Sequence, residues 1–390
     1  MHILEIPSFF PPYGGMFCLD QARAMHDLGH EVRILSNVQL GLSIGFTDYI
    51  TLPYGRHEKV MEGITVCQSY QRGLPKNIRR NVNRWLSIVQ SMYGDYVKRY
   101  GRPDILHAHC AKWAGYAAMQ ISKAHVIPYV ITEHLSQKLL EQEFGKSPSS
   151  AWQIPLLRQA YENADMVITV SEELVGDTAC YYGSDYRWQY VTNTIDTKFF
   201  SYMPREAREG RPFRFCCLAD YSFLKGYDVL FDAYKILQQQ GVKTELHIAG
   251  TNTDGSSCRK EIQRRGINGV EAYGRIDRQH VRDLLYHSDA LVLASRSEVQ
   301  PLVLLEAMST GIPVISTECI PRCLRLEGGC TIVPVGNAAE LATVMNKVMA
   351  ADVNGSMLSQ QIVEMASPQA VGRKLEQIFS EILNRNNNIR

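Results

Sequence analysis

Two glutamates, a lysine, a pair of glycines and a pair of histidines stand in this sequence where their types and spacing could do chemistry. Residues Ser297–Glu306 read SEVQPLVLLE, an aliphatic run with carboxylates at Glu298 and Glu306. A helix that dips its face into a core keeps carboxylates off that face, so both are expected to meet something polar. With Pro301 at the first helical position, the step from Glu298 to Glu306 spans at most about 12 Å at 1.5 Å per residue. That is too far for the two to share a proton. It suits hydroxyl hydrogen bonds from two parts of one extended ligand, with an anion held between them at the positive helix end, which is the layout of a nucleotide sugar. One glutamate in a first helical turn and one in solvent would give the same spacing, and the segment alone leaves both open.

Lys225, in LADYSFLKGYDVL, falls in a loop between a strand pattern and a helix pattern. An ammonium there can neutralise a departing phosphate, although a lone loop lysine is also at home in solvent. Gly14 and Gly15, in PPYGGMF, separate the first strand from the first helix. Without side chains they let a backbone approach a ligand, or simply make a tight turn. His107 and His109 alternate on a strand, and without a third ligand they read as structural rather than metal-binding.

These residues need a frame, and the pattern supplies one. HILEIPSF, EVRILS, DILHAH, PYVITEH, DMVITVS and YVTN read as strands with helical stretches between them, the first being Phe17–Leu28, stopped by Gly29. From Phe213 the series restarts with FRFCCLA, ELHIAG, VEAYG, ALVLAS, PVIST and TIVPV, separated by amphipathic helices such as Val229–Gln239. Alternation of this kind makes βαβ units and a parallel sheet. Between the series, DTKFFSYMPREAREGRP reads as a linker, and the terminal NRNNNIR is expected to fray. The expectation is α/β: two doubly wound Rossmann-like domains, 1–200 and 201–390, facing across a cleft, with ligands outside the carboxyl ends of the strands and the final helix packing back on the first domain.

The length of 390 residues agrees, since single cores rarely grow past about 250–300 residues. A net charge of +1 gives no global pull toward nucleic acid or membrane. Ten cysteines form no C-x-x-C pair, which points to reduced thiols in a cytoplasmic protein rather than a disulfide framework or zinc site. The N-terminus is a first strand, not a signal peptide. Residues 72–84 hold Arg72, Lys76, Arg79, Arg80 and Arg84 without an acid. They open a helix pattern carrying Ile78, Val82, Trp85, Leu86 and Val89, which is either a core-facing helix with a solvated side or an anchor on anionic lipid.

Taken in order, PPYGG, LGHEVRILS, DILHAH, ITEH, VSEEL, NTIDTKFF, KGYDVLFDA, LHIAG and SRSEVQPLVLLEAMSTGIPVIS resemble the retaining glycosyltransferases of GT-B fold with an E-x7-E motif, over almost the whole chain. The resemblance implies that Glu298 contacts the donor sugar, Glu306 the nucleotide ribose and Lys225 the diphosphate. Gly14 and Gly15 would lie near the donor phosphates or acceptor, and His134 of ITEH would face the transferred sugar. It implies a nucleotide-diphosphate sugar and a glycan or lipid-linked acceptor as partners, in surface polysaccharide or glycolipid assembly. No D-x-D pair is present to hold a metal, no cofactor and no nucleic acid are expected, and the basic stretch would give a peripheral place at the inner membrane face. One position departs from the pattern: Asp220 stands where the family has an arginine paired with the lysine, so Arg296 or Arg275 is expected to replace it. The glycine pair usual after PVIST is also absent. A non-catalytic nucleotide-sugar-binding scaffold and a hydrolysing nucleotide-sugar epimerase are the rival functions. No G-x-G-x-x-G or P-loop occurs, and GLSIG at 41–45 matches G-x-S-x-G by chance, because FTDYITLPYG is not expected to form the helix that a nucleophile elbow requires.

Overall fold

A computed structural model describes residues 1–11, 14–41, 46–52, 54–74, 77–144, 151–204 and 210–389. The chain divides into two compact units, Met1–Thr194 with Pro368–Arg390, and Ile195–Ser367. The second unit therefore starts before 201. Ile195 and Phe200 are buried in its core with Leu291, Leu293 and Leu304, so the start of the expected linker is core.

Among the described residues the first unit has an eight-stranded sheet in the order β3-β4-β2-β1-β5-β6-β7-β8. The strands are β1 His2–Pro7, β2 Glu31–Leu40, β3 Gly55–Met61, β4 Ile64–Arg72, β5 Ile105–His109, β6 Tyr129–Glu133, β7 Met166–Thr169 and β8 Trp188–Tyr190. All neighbours are parallel except β3 and β4, a hairpin closed at Glu62 and Gly63, both with positive φ. β3, GRHEKVM, is a charged, largely exposed edge strand without apolar alternation, the composition that protects an edge. β8 covers only the start of the expected YVTN strand.

The helix Met16–Asp27 and the final helix Pro368–Ile389 cover one face, where Val371, Leu375 and Phe379 pack against Ile3, Ile105 and Val130. The helix thus runs through NRNNNI rather than fraying before it, because its earlier turns are anchored in this core. The helix Ile78–Tyr100 lies on the other face, buried through Val82, Trp85, Leu86, Val89, Met92, Tyr93 and Tyr96. At roughly 1.5–3 kcal/mol per buried apolar side chain, that stripe fixes where the helix lies. Its basic start is engaged inside the unit: Arg72 stacks on Tyr54 at 4.2 Å, Arg79 on Trp152 at 5.1 Å, and Arg84 donates to the Arg72 carbonyl. Lys76 lies outside the described residues. Phe46–Thr51 is helical after all, though only six residues long, and Ser43 of GLSIG also lies outside the described residues.

The second unit's described sheet is parallel throughout, in the order β11-β10-β9-β12-β13-β14. Its strands are β9 Phe213–Leu218, β10 Thr244–Ala249, β11 Val270–Ala272, β12 Ala290–Leu293, β13 Val314–Thr317 and β14 Cys330–Val333. In chain order this is the 3-2-1-4-5-6 arrangement of a dinucleotide-type sheet, with its switch point between β9 and β12. The first sheet has the same switch between β1 and β5. Among the described residues no helix is long and apolar enough to cross a membrane, and the cysteines are free thiols.

Candidate functional site

In the second unit, the loops leaving β9 and β12 meet at the switch point. Gly226 makes the approach possible: its φ is 67°, and a Cβ there would stand 1.9 Å from the Ala294 carbonyl oxygen. The short turn Phe223–Lys225 consequently lies against the β12 loop, and the Arg296 N–H donates to the Leu224 carbonyl at 2.7 Å. This brings Lys225 Nζ to 2.6 Å from Glu298 Oε1, which also accepts a 2.6 Å hydrogen bond from Ser295 Oγ. The Glu298 side chain is 8% exposed and that of Lys225 30%, so the carboxylate is the anchored partner and the ammonium faces outward.

Arg296 is placed differently from Lys225. Its guanidinium makes a two-pronged bond to Asp228 at 2.8 and 2.7 Å, donates to the Phe223 carbonyl and stacks on the Phe223 ring at 4.0 Å. The hydrogen bonds from Arg296 hold the Asp228 carboxyl below its ordinary range. Arg296 thus braces the turn that carries Lys225.

Glu306 lies within the helix Leu302–Ser309, which begins one residue later than expected and leaves Pro301 in the cap position. It lines a cavity of about 470 Å³ with Asp220, Thr251, Arg275 and Val303 at the carboxyl ends of the strands. Asp220 is turned onto the backbone, where its Oδ1 accepts the Thr251 N–H at 2.7 Å. Of the two arginines expected to replace the missing cation, Arg275 shares this cavity and Arg296 is committed to Asp228.

In the first unit, parallel register sets Glu5 of β1 beside His107 of β5, with His109 two residues further on the same face. Glu5 Oε2 stands 2.8 Å from both His107 Nδ1 and His109 Nε2, while His107 Nε2 meets Thr132 Oγ1 at 2.7 Å. The three side chains are fully buried, and Phe379 of the final helix closes over His107 with ring centroids 5.2 Å apart. The histidines therefore do have a third potential ligand, Glu5, within 4.8 Å, contrary to the sequence expectation. The His109 contact is a hydrogen bond, whereas that of His107 is at ion-pair distance without hydrogen-bond geometry. Although burial opposes ionisation, the two imidazoles, His107 first, bring the Glu5 pKa down to about 2. Burial and then His107 push that of His109 down to about 4.

His109 Nδ1 is 3.5 Å from Nε2 of His134, which follows β6 and stacks on Phe17 with centroids 3.7 Å apart. Burial, then His109 and His107, hold His134 neutral well below the ordinary imidazole range. The preceding Glu133 fixes the turn: its Oε1 accepts the N–H groups of His134 and Leu135, and its Oε2 those of Ala111 and the Tyr161 hydroxyl. Gly14 and Gly15 both have positive φ. A Cβ on Gly15 would stand 1.9 Å from the Phe9 carbonyl oxygen, so the close approach there is to the chain's own loop. Gly15 caps the helix Met16–Asp27 without a side-chain hydrogen bond.

Residues 14–199 match the model described as Glycosyltransferase Family 4, and residues 212–351 that of Glycosyl transferases group 1. The chain belongs to these glycosyltransferases. It is 24% identical over 405 residues to glycogen synthase of Mycobacterium tuberculosis, covering 97% of this chain and 94% of that one. It is 25% identical to the putative teichuronic acid biosynthesis glycosyltransferase TuaC of Bacillus subtilis, covering 82% and 81%. In structure it resembles Anabaena HepE in complex with UDP, with a TM-score of 0.72 at 17% identity over 98% of this chain and 100% of that one. The fold is GT-B.

Within this glycosyltransferase the E-x7-E carboxylates have separate settings: Glu298 anchors Lys225, and Glu306 lines the cavity with Arg275. Sequence reasoning missed Ser295, Asp228, Glu133 and Glu5. Glu5 had a signal, because a carboxylate inside an apolar central strand needs a buried partner. The other three are ordinary loop, helix-start and strand-end residues until their partners are known.

Proposed function

We propose that this glycosyltransferase moves a sugar from a nucleotide-diphosphate sugar to an acceptor hydroxyl with retention of configuration and without a divalent metal. The observation that carries the reading is the Lys225–Glu298 pair at the switch point, an outward-facing ammonium on a carboxylate that Ser295 also holds. An arriving diphosphate competes with Glu298 for the ammonium. The bond from the anomeric carbon to the diphosphate oxygen then breaks with its electron pair on that oxygen, and Lys225 stabilises the charge as it develops. The acceptor oxygen bonds to the same face of the anomeric carbon, and its proton passes to the leaving phosphate oxygen. Glu298 is engaged with Lys225 and Ser295, which favours this front-face route over a covalent glycosyl-enzyme. Glu306 is assigned to the ribose, Gly14 and Gly15 to the phosphates or acceptor, and His134 to the transferred sugar.

The HepE structures with UDP and with UDP-glucose support a nucleotide-sugar donor. The glycogen synthase and TuaC likenesses support a glycan acceptor in polysaccharide assembly, with a lipid-linked acceptor as the alternative form. For a cytoplasmic enzyme at an anionic membrane face, residues 72–84 would supply the contact, but the engagement of Arg72, Arg79 and Arg84 inside the unit leaves that surface weaker than its sequence. Co-sedimentation with anionic but not neutral vesicles would support it.

The test of the function is thermal shift against UDP-, GDP-, TDP- and ADP-sugars. A rise with one donor, abolished by Glu306→Ala, is expected. No rise with any donor would overturn the reading. Donor breakdown that needs no acceptor would favour an epimerase, and binding without turnover a scaffold.

A further inference from the structure

The cavity of about 470 Å³ that Glu306 lines lies wholly within the second unit, over the carboxyl ends of β9, β10 and β11. Two opposite charges line it without pairing. Asp220 follows β9 and Arg275 follows β11; both are exposed, and among the described residues no ion pair joins them. Asp220 uses only Oδ1, on the Thr251 N–H at 2.7 Å. Among the described residues the Arg275 guanidinium has neither a hydrogen bond nor an ion pair. The loops that carry the two are tied together through the backbone. The Gly250 N–H donates to the Gly274 carbonyl at 2.8 Å, the Tyr221 N–H to the Thr251 carbonyl at 2.9 Å, and the Gly274 N–H to Thr253 Oγ1 at 3.0 Å. A Cβ on Gly250 would stand 2.1 Å from the Ala219 carbonyl oxygen, so the β9 and β10 loops meet there only because the residue is glycine. The two charges are thus held apart on a fixed backbone, with Leu218, Ile276 and Val303 giving the cavity an apolar wall.

We infer that this cavity takes a guanine base, with Asp220 meeting its N1–H and 2-amino group and Arg275 its O6 and N7. The reading rests on the proposed transfer reaction and names its donor as a guanosine diphosphate sugar. Position favours the base over the diphosphate. Neighbouring strands lie about 4.8 Å apart, so in the order β11-β10-β9-β12 the Arg275 loop stands about 10 Å from β9, whose loop carries Lys225. Glu306 lines the cavity, and Lys225 is not among the described residues that do. A donor with its diphosphate on Lys225 and its ribose on Glu306 therefore extends its base over β10 and β11, where the apolar wall suits the face of the ring. Chemistry favours guanine. It presents two donors on one edge and two acceptors on the next, which fits a carboxylate and a guanidinium standing apart. Adenine offers each of them a single partner, and uracil sets one N–H between two carbonyls. Either would leave one charge covered by the base and incompletely paired, which costs affinity.

The experiment is isothermal titration calorimetry on the full chain with GDP, IDP, ADP and UDP. GDP is expected to bind at least about tenfold more tightly than ADP or UDP, the scale of one two-pronged base contact, with IDP, which lacks the 2-amino group, between them. Arg275→Met should bring GDP down to the level of ADP. Asp220→Asn, which keeps an acceptor for the Thr251 N–H, should remove the advantage of GDP over IDP. The inference is overturned if ADP or UDP binds as tightly as GDP, or if either variant keeps the wild-type ratios. If UDP or ADP proves the tighter ligand and Glu306→Ala abolishes its binding, the base is wrong and the transfer reading stands; if no nucleoside diphosphate binds, the transfer reading fails with it.

Discussion

The cluster around Glu5 and the pair around Lys225 both sit at or beside a sheet's switch point, yet they solve opposite problems. Glu5, His107 and His109 are sealed between their sheet and the final helix and take their polar contacts from one another, from Thr132 and from His134. Lys225 and Glu298 make one short bond with the ammonium side left open. A buried charged group that already has its partners can only give up stability when it is disturbed. An ion pair with one open side can exchange a partner for a ligand at small cost, because water screens it. Burial, more than residue type, separates the sealed cluster from the open pair here.

Substitution should separate the two. Glu5→Gln is expected to have the largest effect, a loss of about 3–5 kcal/mol in urea unfolding, since it leaves imidazoles facing an uncharged amide in a dry site. Unchanged stability with lost activity would instead make the cluster part of the chemistry and erase the contrast. Lys225→Met should lower the transfer rate by about 10²–10³-fold, the scale for removing one preorganised charge-stabilising donor, while the melting temperature stays nearly constant. A large drop in melting temperature would place Lys225 with the frame.

Gly226→Ala should cost about 1–3 kcal/mol for a left-handed backbone, and more as the Ala294 carbonyl yields to the new Cβ, with activity falling because the turn carries Lys225. Normal activity and melting temperature would show that the close approach does not position the lysine. The smallest effect is with pH. His109 and Glu5 both have depressed pKa values in the folded chain, about 4 and about 2, against ordinary values of 6.5 and 4.5. A group so shifted contributes stability above its unfolded pKa and loses it as the pH falls through the folded value. Melting temperature should therefore decline below about pH 6.5 and again below about pH 4.5, and Glu5→Gln should flatten the second decline.

Several expectations were legible because they depend on local pattern. The apolar runs of the second unit name all six of its described strands, since a parallel sheet buried on both faces needs continuous apolar sequence. The chemistry-bearing residues after strands fall in loops for the same reason. The β3–β4 hairpin was not legible, because β3 is a charged edge strand whose order comes from its neighbour. Nor was the commitment of Arg296 to Asp228, 68 residues earlier in the chain. A guanidinium beside E-x7-E reads as a ligand contact until the partner is located. The partner of Asp220 was not legible either: in the fold it accepts a backbone N–H of the β10 loop while lining the cavity that holds Glu306 and Arg275.

By itself, then, the sequence determined two α/β units, their βαβ rhythm, which strand-end loops carry Glu298, Lys225 and His134, and that Glu306 falls in the helix that follows. These follow from hydrophobic period and turn residues, which act over a few positions along the chain. Tertiary structure decided that Lys225 rests on Glu298, that Arg296 serves Asp228, that Glu5 completes a buried triad with His107 and His109, and that the last helix belongs to the first unit. Each of those depends on groups far apart in sequence meeting in a place where water is scarce, and only there does a charge have to find its partner.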